Sequence, residues 1–101
     1  MDKNLRLAIK ALCEFPELIE TVIQVLKDQG FPNIPFKCDR EFKIWLTLAE
    51  WNGWCLQQNG FTKHCRILDP DDIRRAWGTK TAMNNALNQI QKVYNERKNS
   101  V

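Results

Sequence analysis

Between Pro16 and Gly30 the apolar residues Leu18, Ile19, Val22, Ile23, Val25 and Leu26 fill one arc of a helical wheel. Glu17, Glu20, Gln24, Lys27 and Asp28 fill the other. A helix with such a face is stable only when that face is covered by other elements. Pro16 suits the first turn of this helix, and Glu17 and Glu20 favour its positive end. Gly30, followed by Phe31 and Pro32, is a helix stop. Upstream, Leu5, Ala8, Ile9 and Leu12 share one face at the same spacing, so residues 3–14 form a partner helix. The segment PNIPFKCD is extended loop, because each proline disfavours helix at the residue before it.

Asp39 is a good N-cap for a third helix over about residues 40–58. Phe42, Trp45, Leu46, Ala49, Gly53 and Leu56 form one stripe, and Ile44, Leu48, Trp51 and Cys55 a second beside it. Two adjacent stripes describe a central helix packed on two sides. Gly53, four after Ala49, suggests a close helix crossing. The alternative is a hairpin turning at Asn59–Gly60, with WCLQQ and FTKHCRIL as strands. The persistence of the stripes to Leu56, and the likeness of LQQNGF to LKDQGF as helix stops, favour the helix.

Asp69-Pro70-Asp71-Asp72 combines a cap, a first-turn proline and acids at a positive helix end. Ile73, Ala76 and Trp77 then face inward until Gly78. Thr79 or Thr81 caps a last helix whose apolar side is Ala82, Met83, Ala86, Leu87, Ile90, Val93 and Tyr94. The expectation is all-α: a compact single domain of about five helices spanning 1–101. It has N-terminal helices at about 3–29, a central helix at about 40–58 and a helix-turn-helix-like pair at about 70–97.

Cys13, Cys38, Cys55 and Cys65 lack the C-x2-C spacing of a zinc knuckle, and the adjacent side chains of His64 and Cys65 diverge in regular structure. Free thiols are expected, with no metal and no cofactor. His64 is the only histidine, no nucleophile elbow or glycine-rich phosphate loop accompanies it, and an enzyme is not expected. No apolar run reaches the roughly 20 residues that cross a bilayer, and the N-terminus is not a signal peptide. A cytoplasmic protein with no membrane partner is expected.

Residues 1–30 carry four basic against five acidic side chains, 31–68 five against three, and 69–101 six against four. This mild basic excess is compatible with nucleic acid. DDIRRAWGTKTAMNNALNQI looks like a helix-turn-helix at the level of pattern. Asn84, Asn88, Gln91 and Asn95 form one polar stripe on its second helix, flanked by Lys80 and Lys92. Amides at such positions read adenine edges, while Arg74 and Arg75 on the first helix would hold phosphates. A plain two-helix corner in a core explains the same pattern. Trp54, placed amid Lys43, Thr47, Glu50 and Gln58 on a polar helix face, is an interaction candidate. Two functions follow as expectations. One is a small DNA-binding regulator, working as a homodimer through the helix-turn-helix. The other is a helical protein-interaction module, an inhibitor or adaptor of the kind mobile elements encode, docking a protein partner through Trp54 and the amide stripe.

Overall fold

The computed structural model describes residues 3–100. Its elements follow in the order α1 (Lys3–Glu14), a 3-10 turn (Pro16–Leu18), α2 (Ile19–Asp28), β1 (Trp45–Trp51), β2 (Trp54–Asn59), β3 (Cys65–Leu68), β4 (Arg74–Gly78) and α3 (Lys80–Asn99). The strands form an antiparallel meander in the order β1-β2-β3-β4. The fold is α+β, and the expected all-α bundle of five helices is wrong.

The two N-terminal helices and the last helix lie where their periodicity puts them. Gly30 ends α2 in a left-handed conformation (φ +86°), and Thr79 Oγ1 caps α3 by accepting from the Ala82 amide at 3.1 Å. The central helix at 40–58 is instead a hairpin of β1 and β2. Asn52 and Gly53, with φ of +47° and +84°, make the two-residue turn whose positive φ values match the twist of paired strands. Gly53 is a turn residue, with no helix crossing beside it. A β-bulge between Thr47 and Ala49 breaks the alternation along β1. That break let a strand with an apolar run be read as a helix with two stripes.

β2 and β3 form the second hairpin, closed at its loop by Asn59 N–H donating to His64 O at 2.8 Å. The helix expected after Asp69 is a tight turn followed by β4. Asp69 Oδ1 accepts from the amides of Asp71 (2.9 Å) and Ile73 (3.0 Å), which is capping chemistry applied to a β-turn. Asp72 then takes φ +64°, which no helix continues. With β4 in place of a first helix, residues 70–97 are a strand and a helix, and no helix-turn-helix exists.

The three helices pack on one face of the sheet, with α3 against both α1 and α2. Leu12, Leu18, Val22, Leu26, Met83, Ala86 and Ile90 close over Ala49, Leu56, Ile67 and Ala76. These four sheet residues stand directly opposite one another in register, so one cross-strand row supplies the floor of the core. Gly78 allows β4 to approach α2 closely: a Cβ there would lie 2.9 Å from Leu26 Cδ2.

The second face is covered by the irregular chain between α2 and β1. Arg40 fastens this segment. Its Nε pairs with Asp72 Oδ1 at 2.8 Å, and its Nη2 donates to Gly53 O at 2.8 Å and Asp69 O at 2.9 Å. The same segment closes the outer edge of β4. Asn33 Oδ1 accepts from Trp77 N, Phe36 O accepts from Arg74 N, and Lys37 bridges Ile73. At the other side of the sheet, β1 is an edge strand.

Candidate functional site

The strand register sets a row of polar and aromatic side chains across the covered face: Thr47 opposite Gln57, Gln57 opposite Arg66, Arg66 opposite Trp77. Gln57 is fully buried and joins the row to the overlying segment. Its Nε2 donates to Arg40 O at 2.5 Å and to Thr47 Oγ1 at 3.3 Å, while its Oε1 accepts from Arg66 Nε at 2.9 Å. Arg66 Nη2 donates to Asp39 O at 2.9 Å, and its guanidinium lies over the Trp45 ring, 4.1 Å from the centroid. Arg66 is only 6% exposed.

Arg74 joins the cleft through a second irregularity. The register shifts between Ile67 and Leu68 against β4, so Arg74 and Trp77, three residues apart, come together. The Arg74 guanidinium lies 4.1 Å from the Phe36 ring centre and 5.1 Å from that of Trp77. Trp77 is fixed by Nε1–H donating to Pro32 O at 2.7 Å, and His64 stands beside it with ring centres 5.9 Å apart. The resulting cleft of about 240 Å³ is lined by Phe36, Trp45, Arg66, Arg74, Trp77 and His64, with Asn59 and Thr62 at the hairpin loop.

Neither cation is held in an ion pair among the described residues, although Asp39 and Asp72 lie near enough to Arg66 to favour its charge. Among the described residues, carboxylates pair with Arg40, Arg75, Arg97 and Lys98, and none with Arg66 or Arg74. Arg74 Nε is buried without a hydrogen-bond partner, and its Nη2 makes one long bond of 3.3 Å to Ile34 O. Burial pushes both guanidiniums below their ordinary pKa, and the charge of Arg66 lowers that of Arg74 further. Both remain charged at neutral pH. The cleft is therefore a place where an anion gains two guanidiniums and two or three aromatic faces at once.

The sequence-predicted residues fall in different places. Arg74 lies in the cleft, while Arg75 pairs with Asp69 at 3.7 Å. Lys80, Asn84 and Asn88 line a separate groove of about 370 Å³ with Leu48, Met83 and Leu87, between α3 and the β1 side of the sheet. Gln91 Nε2 donates to Asn4 O at 2.9 Å, tying α3 to α1. Lys92 and Asn95 are exposed on α3. Trp54 is half-buried against the core and stacks on Trp51 with ring centres 6.5 Å apart, so it is not an aromatic on a polar helix face. All four cysteines are free: Cys55 and Cys65 are buried, and burial raises the pKa of each. Among the described residues no three His, Cys, Asp or Glu side chains gather as metal ligands, and no helix is long and apolar enough to cross a membrane.

Sequence reasoning missed Phe36, Trp45, Arg66 and Trp77 as a group. The signal was present in Asn52-Gly53 between two tryptophans, which starts the register that aligns them. The chain matches no protein-family model, no curated protein and no solved structure, so its function is argued from this cleft alone.

Proposed function

We propose that this protein is a non-enzymatic module that binds single-stranded nucleic acid at the cleft between the covering segment and the β2–β3 hairpin loop. The observation that carries the reading is the pair Arg66 and Arg74, each held against aromatic rings with no carboxylate partner among the described residues. Guanidiniums in that state suit phosphate, and the rings beside them suit bases, which stack on any aromatic face. Phe36 lines the cleft, and the same segment and the hairpin loop carry two more exposed aromatics, Phe42 and Phe61, the latter 81% exposed and one residue before Thr62. Lys37, Lys43 and Lys63 interleave with them and supply long-range attraction.

A duplex hides its base faces, so single strands are favoured over duplex. The test is fluorescence anisotropy with a labelled oligothymidylate and a duplex of the same length at low and physiological salt. The reading expects tighter binding of the single strand, with an affinity that falls as salt rises. Failure to bind the single strand at low salt refutes it.

One observation favours a second reading. β1 is an edge strand carrying exposed Leu46 and Leu48, and Leu48 borders the groove rimmed by Lys80, Asn84 and Asn88. An extended peptide of a protein partner could add to that edge and set apolar side chains in the groove. Such binding would respond weakly to salt and would be lost in Leu48→Lys.

A further inference from the structure

The geometry points to a terminal phosphate monoester as the group that enters the Arg66–Arg74 cleft, an inference that rests on the single-strand reading above. Three observations bear on it. First, Arg66 and Arg74 line the same cleft and the charge of one opposes that of the other, so a dianion seated beside both would relieve two like charges. A phosphodiester within a strand carries one negative charge, whereas a terminal monoester carries nearly two at neutral pH.

Second, donors are left over. Arg66 uses Nε and Nη2 on Gln57 and Asp39 O, and Arg74 uses Nη2 on Ile34 O. No acceptor among the described residues meets Nη1 of either, so each guanidinium keeps N–H groups for a ligand. Third, the cleft is small. Arg66, Arg74 and Trp77 of the sheet line it, with Phe36 of the covering segment and Thr62 and His64 of the hairpin loop. At about 240 Å³ it is below the usual range of small-molecule pockets, so it suits the end of a strand better than a strand running through. Trp45 and Phe36 line the same cleft, each with a guanidinium on one face, and Phe36 is half exposed, so a terminal base has an aromatic ring to lie against.

The experiment titrates the full chain with one short oligothymidylate in three forms: 5′-phosphate, 3′-phosphate, and hydroxyl at both ends. Thymidine monophosphate and inorganic phosphate serve as competitors. One phosphorylated form should bind about tenfold tighter than the hydroxyl-ended strand or better, the scale of an added charge-assisted contact. Arg74→Gln should weaken the hydroxyl-ended strand, which shares the cleft, and weaken the preferred phosphorylated form more, so that the two come within about threefold of each other. Arg74 is the better residue to replace, because its guanidinium makes only the one long bond to Ile34 O, whereas Arg66 also anchors the covering segment. Equal affinity for all three forms overturns the phosphate assignment and leaves strand binding standing. Competition by thymidine monophosphate as strong as by the phosphorylated strand overturns the strand end as occupant in favour of a free nucleotide. No binding of any strand overturns both readings.

Discussion

Replacing Gln57 with leucine separates the polar row across the sheet from ordinary packing. The volume is nearly kept, so little cavity forms, but one buried amide disappears. Arg66 Nε–H loses its acceptor at 2.9 Å, and Arg40 O loses its donor at 2.5 Å. Water cannot easily replace either, since Gln57 is fully buried and Arg66 nearly so. Each stranded group costs about 1–3 kcal/mol, with the charged donor at the upper end. The apolar atoms of leucine return about 1 kcal/mol of burial. The net loss is about 3–5 kcal/mol, a large share of a typical domain stability. For a chain of this length it lowers Tm by roughly 15–25 °C.

Thermal unfolding followed by circular dichroism reads that shift, and Gln58→Leu is the internal control. Gln58 is half-buried and donates only to Lys63 O at 3.2 Å near the surface, so its loss should cost under about 1 kcal/mol. A Tm for Gln57→Leu within a few degrees of wild type, or equal shifts for both variants, would refute the claim that the row is a sealed network.

Phe61→Ala should leave stability within about 0.5 kcal/mol of wild type, because the ring is exposed, yet weaken single-strand binding by about 1–3 kcal/mol if a base stacks there. Gly78→Ala should destabilise by about 1–3 kcal/mol, because its new methyl meets the fully buried Leu26 at 2.9 Å; calorimetry checks this. In the native protein a thiol reagent should modify exposed Cys13 first and buried Cys55 and Cys65 last, with all four reacting after denaturation. Glu14, held below the usual carboxylate range first by the Tyr94 hydroxyl and then by Lys98, contributes stability that is present above its unfolded pKa. That contribution is lost as pH falls through the lowered value, so Glu14→Gln should flatten the acid limb of an unfolding profile.

Helices were legible because each carries one uninterrupted apolar face. Val22 and Leu26, or Met83, Ala86 and Ile90, are buried at the spacing their sequence shows. The strands were not legible, for two local reasons. β1 alternates only in part, since the bulge after Thr47 shifts the phase and leaves Leu46 and Leu48 exposed on an edge. β4 is short, and among Arg74, Arg75, Ala76, Trp77 and Gly78 only Trp77 is a favoured strand former. Asp69 illustrates the ambiguity at its sharpest. Its side chain caps backbone amides as expected, but a carboxylate caps a β-turn by the same bonds it uses at a helix start. The cleft was hidden for a further reason. Its members come from four separated stretches, and only strand register and the covering segment bring Phe36, Trp45, Arg66 and Trp77 together.

Every strand pairs with its neighbour in sequence, but the helical layer is assembled from opposite ends of the described chain, with α3 lying against both α1 and α2. During synthesis this imposes an order. A nascent chain that has emerged as far as Gly78 can close its three local pairings, yet Leu12, Val22 and Leu26 still lack the residues of α3 that cover them. The apolar faces of the first two helices therefore wait for the last twenty-residue helix to leave the ribosome, and over that interval the chain is most open to chaperones and to self-association.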